Sequence, residues 1–264
     1  MLRKYQSLFS ISWQNGLVYK TSFLMWQLRQ LLATVLPLVL WTAVYANNQV
    51  AFGYTEGEMI GYIIIAGLLQ SIIMATALNN IPNTVYSGEL SIILIRPIGV
   101  FRFALMLDLA DKLKNILVVL AVSIGLWLIM QPVIPGFSLS NLPLLVLWVL
   151  GGAVMHFYIE MLFGSLGFWS PDVWGPKFVF FVIVELAAGR TFPLDILPAT
   201  VQKILYLTPF PMLGFVQTQL ALGRVPPERL PTITLAIVAW CFILGVMCLS
   251  VWRQGLKSYT AAGR

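Results

Sequence analysis

Residues 231–252 read PTITLAIVAWCFILGVMCLSVW, an apolar stretch without a charged residue. A helix needs about 20 apolar residues, at about 1.5 Å per residue, to cross the hydrocarbon core of a bilayer. The stretch therefore predicts a transmembrane helix. Cys241 and Cys248 lie in it, roughly 10 Å apart along the axis, which is too far for a disulfide, so we interpret both as packing residues.

The composition of the whole chain agrees with a membrane protein. Hydrophobic residues make up 59% and charged residues 10% of the 264 residues, whereas soluble domains carry about 25% charged residues. This excludes soluble enzymes, coiled coils and disordered proteins. The net charge of +6 does not indicate a nucleic-acid binder, because the basic residues lie between apolar runs and form no soluble basic face.

The chain contains six apolar stretches in all, which predict an all-α integral membrane protein with one domain over residues 1–264. The first 20 residues place apolar side chains at helical spacing against a polar face, which predicts a helix lying in the headgroup layer. The fifth stretch is short, at about 25 Å. The predicted spans lie near 22–45, 58–79, 104–130, 142–169, 173–189 and 231–252.

The distribution of Lys and Arg predicts the orientation. If the N-terminus is cytoplasmic, twelve of the 16 basic residues fall on the inner side. The other four are Arg190, Lys203, Arg224 and Arg229. Cytoplasmic loops carry an excess of Lys and Arg, so we expect both termini inside.

The inner loop at 81–103 is more apolar than a solvated loop. Pro82 can open a helix and Pro97 can close one, and the aliphatic residues 92–95 lie between them. A short helix with exposed aliphatic side chains needs a cover. It is either a membrane-surface helix or a docking helix for a cytoplasmic partner.

The outer segment at 190–230 is long, punctuated by prolines and still apolar. Residues 199–207 and 212–222 can each form a short helix, but neither can span. Backbone at membrane depth must satisfy its own hydrogen bonds. We therefore expect a re-entrant hairpin, with a solvated outer loop as the alternative.

Four ionisable residues, Arg29, His156, Glu160 and Glu185, lie within apolar stretches, where charge is expensive and usually faces the bundle interior. Their depths pair Arg29 with Glu160 and His156 with Glu185. These groups either fix helix packing or form a polar wall for a substrate path or a proton relay. His156 and Glu160 share a helix face, but two ligands are too few to predict a metal site.

Asp108, Asp111, Lys112 and Lys114 open the third stretch, and we interpret them as an inner-surface charge cluster. The chain has no G-x-x-x-x-G-K-[ST], H-E-x-x-H or G-x-S-x-G motif and a single His. It therefore lacks a Walker loop for nucleotide phosphates and the motif residues of a membrane protease or acyltransferase.

Five short motifs occur in order along the chain. They are YKTSFL at 19–24 with LW at 40–41, YTEGEM at 54–59, SGEL at 87–90 with LIRP at 94–97, FPLDILP at 192–198 with TPF at 208–210, and Trp252, Gly255, Leu256, Tyr259 and Gly263. Together they resemble type-2 ABC exporter permeases, in the branch of six-span permeases encoded apart from their ATPase. Lys20 stands where this family is expected to have Arg.

The resemblance implies a permease in the cell (inner or plasma) membrane, with a cytoplasmic coupling helix at 81–103 that binds a separate ATPase subunit. It implies a second permease, identical or related, and no cofactor in this chain, since ATP and Mg would bind the ATPase. The implied coupling residues are Gly88, Glu89, Leu90, Leu94, Arg96 and Pro97. The implied residues of the re-entrant segment are Phe192, Pro193, Pro198, Pro209 and Phe210.

Two alternatives remain at this point. An ion-coupled secondary transporter would use Glu160, Glu185 and His156 and need no ATPase, and an integral membrane enzyme would use the same residues as its acid–base set. Lipid, drug, peptide and polysaccharide substrates are all compatible with the sequence.

Overall fold

The computed structural model describes residues 8–14, 20–47, 49–130 and 141–260, and these are mainly helical. Residues 8–14 form α1, in which Phe9 and Trp13 stack with their ring centroids 6.2 Å apart. The rest of the predicted interfacial helix, at 1–7 and 15–19, lies outside the described residues. The placement of α1 in the headgroup layer stays a prediction.

Ten further helices follow α1 in the described part of the chain. Residues Val50–Ala51 (β1) and Tyr54–Thr55 (β2) form a minimal antiparallel ribbon between α2 and α3. The helices are α2 Lys20–Tyr45, α3 Glu56–Ile73, α4 Ile81–Tyr86, α5 Leu90–Leu94, α6 Val100–Met130, α7 Leu142–Leu166, α8 Trp174–Ala187, α9 Ala199–Tyr206, α10 Phe215–Ala221 and α11 Leu230–Ser258.

Four of these helices are long and apolar enough to cross a membrane, in the ranges Leu24–Tyr45, Glu56–Ile73, Leu142–Leu166 and Pro227–Ser258. They match the first, second, fourth and sixth predicted spans. Helix α6 is 31 residues long, but its first half carries five charged residues. Helix α8 has only 14 residues. Crossing by these two helices stays a prediction.

Local sequence explains where the helices begin. Thr55 and Glu58 form a capping box at the start of α3, in which the Thr55 N–H donates to Glu58 Oε2 at 2.8 Å. This arrangement satisfies backbone donors that a helix end otherwise leaves unpaired. Helices α4, α7 and α11 each have a proline in the first turn, where its missing N–H costs nothing.

The interior contains two apolar clusters. The larger one lies between α3, α7, α10 and the outer half of α11, and its fully buried side chains include Tyr62, Trp148 and Leu213. The smaller one lies at the inner end, the end that the basic residues predict to be cytoplasmic. It joins α4, α5 and α6 to the ends of α7 and α11 through Leu90, Phe168 and other residues.

Gly167, at the end of α7, lies where α7 and α4 approach each other closely. A Cβ on Gly167 would overlap the backbone of Pro82, whereas a Cβ on Gly175 in α8 would meet nothing within 4 Å. We expect Gly167→Ala to cost about 1–3 kcal/mol, because backbone cannot move aside as a flexible side chain can. Thermal unfolding of the purified protein measures this, with Gly175→Ala as the matched control. Equal melting temperatures for the two variants would contradict the packing of α4 on α7.

Candidate functional site

The predicted coupling loop, residues 81–103, contains two short helices where the sequence predicted one. Helix α4 ends at Tyr86, and Gly88 then adopts a φ of +82°, a left-handed conformation that glycine tolerates best. Helix α5 ends at Leu94, because the residue before Pro97 is driven out of helical geometry. The break at Gly88 lets α5 leave the direction of α4.

Tyr259, just after α11, holds the break between α4 and α5. Its hydroxyl donates to the Gly88 carbonyl and accepts from the Ser91 N–H at 2.9 Å. Its ring packs edge-on against Phe168, which also packs against Trp252 of α11. The coupling loop is therefore attached to the last helix by hydrogen bonds as well as by apolar packing.

One side of α5 is buried and the other side is exposed. Leu90 and Ile93 belong to the inner apolar cluster, so Ile93 does not share the exposed surface predicted for residues 92–95. Ile92, Leu94 and Ile95 are 52%, 43% and 84% exposed. The buried side of α5 thus anchors the helix in the protein, and its exposed side forms an apolar surface that faces outward.

Charged residues of the candidate set flank that apolar surface. Glu89 is exposed, and so is Pro97. Arg96 is also exposed, and its guanidinium lies 5.7 Å from the centroid of the Phe103 ring. Such a contact keeps a cationic group close to the loop surface.

Three of the four charged residues predicted as an inner-surface cluster on α6 are buried, and Asp111 is partly exposed, which corrects that prediction. Asp108, Lys112 and Lys114 are all less than 10% exposed. Lys112 Nζ lies 3.1 Å from Asp108 Oδ2 and donates to the Ile73 carbonyl at 3.2 Å and to the Ala75 carbonyl. Lys112 thus satisfies carbonyls at the end of α3, where a cation is also favoured by the helix dipole.

Glu160 pairs with Lys177, and the predicted pairing of Arg29 with Glu160 is wrong. Lys177 Nζ, on α8, lies 2.6 Å from Glu160 Oε2 and 2.7 Å from Asn79 Oδ1. His156 Nε2 lies 3.7 Å from Glu160 Oε1, on the same face of α7. Equal depth did not decide the pairing, because α8 presents its own basic residue to this face.

Glu185 pairs with Arg190, so the predicted pairing of His156 with Glu185 is also wrong. Arg190 Nε lies 3.2 Å from Glu185 Oε1, and the guanidinium also donates to the side chain and the carbonyl of Gln30 on α2. Arg29, the residue before Gln30, lies over two aromatic rings instead. Within the described residues, no group of three or more His, Cys, Asp or Glu could hold a metal.

The outer segment, residues 190–230, forms the two predicted short helices with different burial. All seven residues of α10 are buried, whereas α9 buries none. Phe192 packs against the larger apolar cluster, Pro193 is buried, and the Phe210 ring packs edge-on against Phe180 at 5.8 Å. Pro198 and Pro209 stand at the starts of α9 and of a 3-10 turn.

The end of α8 lies against the side of α3. Gly189 follows α8 with a φ of +73°, as at many helix C-termini. Its carbonyl accepts from the Tyr62 hydroxyl, and the Ala188 carbonyl accepts from Gln70 Nε2 at 3.2 Å. Two buried polar side chains of α3 therefore satisfy a helix end inside the protein.

A polar network joins the outer segment to the start of α3. The Tyr54 hydroxyl donates to Asp195 Oδ2 at 2.7 Å, and Gln219 Nε2 of α10 donates to both of them. Arg224 Nη2 lies 2.6 Å from Glu58 Oε1, and its guanidinium lies over the Tyr54 ring. Burial, followed by the Asp195 hydrogen bond, raises the pKa of Tyr54. Tyr54 is therefore a neutral donor in this network.

Sequence reasoning missed this network, the capping by Lys112 and the role of Tyr259. Tyr54 and Asp195 are 141 positions apart, and Gly88 and Tyr259 are 171 apart, so no spacing rule connects them. One feature of the sequence pointed to a polar network: Gln217 and Gln219 lie in a largely apolar stretch, and a buried amide needs a hydrogen-bond partner.

We expect Glu160→Gln to lower stability, because it removes the carboxylate that neutralises the Lys177 ammonium. The loss should be about 1–3 kcal/mol, measured by thermal unfolding, with exposed Glu228→Gln as the matched control. Glu160→Gln/Lys177→Gln should recover part of the loss, since no unpaired charge remains. A Glu160→Gln protein of normal melting temperature with abolished transport would contradict a structural role and indicate a proton relay.

Comparison with known proteins tests the resemblance. A family model described as ABC-2 family transporter protein matches residues 31–263. A search of curated proteins returned no match. The family match covers most of the chain and agrees with a helical fold that has four candidate spans. The chain therefore belongs to the ABC-2 family of transporters and is a multi-pass membrane protein.

Proposed function

We propose that this chain is the permease subunit of an ATP-driven ABC exporter in the cell membrane. A separate ATPase subunit binds the exposed surface of α5, and two permeases, identical or related, form the substrate path between them. ATP and Mg bind the ATPase and not this chain. ATP binding moves the coupling loop because the ATP-bound ATPase binds one of two permease conformations more tightly than the other. This coupling requires no chemical reaction in the permease.

The exposed aliphatic surface of α5 carries this proposal. Ile92, Leu94 and Ile95 point away from the protein while Leu90 and Ile93 anchor the same helix in the core. Exposed apolar side chains on a rigid support are typical of a binding surface. Tyr259 supplies part of that support, because its hydroxyl bonds to residues on both sides of the turn that precedes α5.

The ion pairs favour a permease over the two alternatives. Glu160 is paired with Lys177, and Glu185 is paired with Arg190. The two alternatives use Glu160, Glu185 and His156 as one set, whereas only His156 lies near Glu160, at 3.7 Å, and Glu185 pairs with a different cation. Their arrangement supports a role in holding α7 and α8 in place.

Exposed apolar faces support both the membrane location and a second permease. Helices α2, α8 and α11 leave large apolar side chains uncovered, among them Leu36, Phe178 and Phe242. Lipid tails can cover such faces, and so can the matching helices of a second permease.

The docking surface makes a quantitative prediction. Ile95→Ala should remove apolar area worth about 2 kcal/mol if the ATPase covers this side chain, which corresponds to about 30-fold weaker association. Leu94→Ala should act in the same direction with a smaller effect, since Leu94 is less exposed. Co-purification of the cognate ATPase and ATP hydrolysis by the complex measure the effect.

The matched control for Ile95→Ala is Ile243→Ala, which removes the same atoms from an exposed position on α11. It should leave ATPase association unchanged. Leu90→Ala separates anchoring from docking, because Leu90 is buried and its loss should lower the melting temperature. If Ile95→Ala and Leu94→Ala retain the ATPase as the parent does, the loop is a membrane-surface helix only.

The orientation can be tested with single cysteines, after Cys241 and Cys248 are replaced by Ala. Thr200→Cys on α9 should react with an impermeant maleimide in intact cells, and Ser87→Cys should react only after permeabilisation. Both positions are exposed, and the distribution of basic residues places them on opposite sides. Labelling of Ser87→Cys in intact cells would reverse the proposed orientation.

A further inference from the structure

Arg29 places a charge on a face of α2 that is otherwise apolar. It is exposed, and so are its neighbours Met25, Leu28 and Leu32. Helix α2 is the least buried of the four candidate spans. Arg29 lies five residues after Leu24, where this span begins, so its side chain faces the surroundings of the protein within the first turns of the span.

Two aromatic rings form the walls around the Arg29 guanidinium. Its central carbon lies 4.9 Å from the centroid of the Trp26 ring and 4.3 Å from that of Phe181 on α8. Arg29 therefore reaches across from α2 to α8. Cation–π contacts of this kind hold the guanidinium beside the rings and leave its N–H groups free to donate.

Arg29 forms no ion pair with any residue that the structure describes. Glu185, the carboxylate of α8 on this side, is already 3.2 Å from Arg190, which also donates to Gln30, the residue after Arg29. Among the described residues, the region where α2 meets α8 thus contains two guanidinium groups and one carboxylate. A net positive charge remains there, and the N–H groups that are free to donate are those of Arg29.

An unpaired arginine in a membrane span needs an anion or water. Its insertion costs about 2.5–3.5 kcal/mol or more at the centre of a helix, and a cation–π contact returns only about 0.5–2 kcal/mol. A phosphate group matches the planar fork of a guanidinium with two parallel hydrogen bonds. The chemistry around Arg29 therefore favours a phosphate over a neutral ligand.

The aromatic residues of α8 locate the headgroup layer. Trp174 and Phe178 are 72% and 52% exposed and stack with their centroids 5.2 Å apart. Exposed Trp residues at a helix end are typical of the membrane–water interface. Phe181 follows Trp174 by seven residues, about 10 Å along the helix, so the Arg29 guanidinium lies about two turns from that level. A bilayer thins locally around a charged side chain in a span, so a headgroup phosphate can approach the guanidinium at this depth.

We propose that Arg29, between Trp26 and Phe181, binds the phosphate of an anionic phospholipid whose acyl chains lie along the exposed face of α2. Arg29 is the residue that binds the phosphate, and the Glu185–Arg190 pair behind it keeps the local charge positive. This site lies on a different surface from the one assigned to the ATPase, so it stands whether or not α5 docks a partner. It assigns the face of α2 around Arg29 to lipid and not to the second permease.

The test uses the full-length permease purified in detergent with phosphatidylcholine. Native mass spectrometry counts the phosphatidylglycerol that the protein retains, and thermal unfolding follows its stability as phosphatidylglycerol is added. The parent should retain phosphatidylglycerol over phosphatidylcholine and gain stability with it. Arg29→Gln should weaken retention about tenfold, the effect of losing one charge-assisted contact.

The matched control is Arg253→Gln, which removes an exposed arginine from α11 and should retain the lipid as the parent does. Arg29→Lys should give intermediate retention, since lysine keeps the charge but lacks the planar fork. This variant also provides the test if Arg29→Gln fails to fold. Inorganic phosphate alone should not stabilise the parent.

Several outcomes would overturn the proposal. They are equal retention of the two lipids by the parent, retention by Arg29→Gln as strong as that of the parent, an equal loss in Arg253→Gln, and full protection by inorganic phosphate alone. An Arg29→Gln protein that changes its oligomeric state with no change in lipid retention would place Arg29 against a second copy of the chain and would also overturn it.

Discussion

The constraint on which this structure depends is that broken helices inside an apolar protein must still satisfy their backbone. Helix α8 ends at Ala187, and the carbonyls that follow accept from Gln70 and Tyr62. Helix α3 ends at Ile73, and the carbonyls there accept from Lys112. Each of these polar side chains is buried, and each would be costly in such a place without the carbonyl it binds. The polar residues and the helix breaks therefore require each other.

This mutual requirement explains which parts of the fold the sequence could predict. Four spans could be predicted because apolar length is a local property, visible in one window of sequence. The second span was predicted to reach residue 79, but α3 ends at Ile73 although Met74, Ala75 and Leu78 are buried. Apolar sequence alone does not reveal where a helix ends when the free carbonyls at that end accept hydrogen bonds from a lysine far away in the chain. The position of Tyr259 under the coupling loop could not be predicted for the same reason.

The ion pairs show a second limit of the sequence argument. Depth along a helix follows from counting residues, but the direction in which a side chain faces follows from the neighbours of that helix. The partner of Glu160 is Lys177, near the start of α8, which the sequence argument counted only as a basic residue of the inner side. Glu185 has a partner that follows α8 in the chain and was assigned to the outer side. Long basic side chains extend several ångströms from their backbone, so counting alone could not identify these pairs.

Helix α3 lies between the outer segment and the coupling loop. At its start, Glu58 binds Arg224, and the preceding Tyr54 binds Asp195 and Gln219 of the outer segment. At its end, Lys112 holds its carbonyls and the chain leads through residues 74–80 into α4 and the coupling loop. A helix transmits displacement along its axis because its backbone hydrogen bonds resist stretching, whereas the loops on either side do not. Helix α7 also contacts both regions, at Pro82 of the coupling loop and at Gln217 of the outer segment. If the coupling loop moves with ATP binding, α3 and α7 are therefore the helices that would carry the movement to the outer segment.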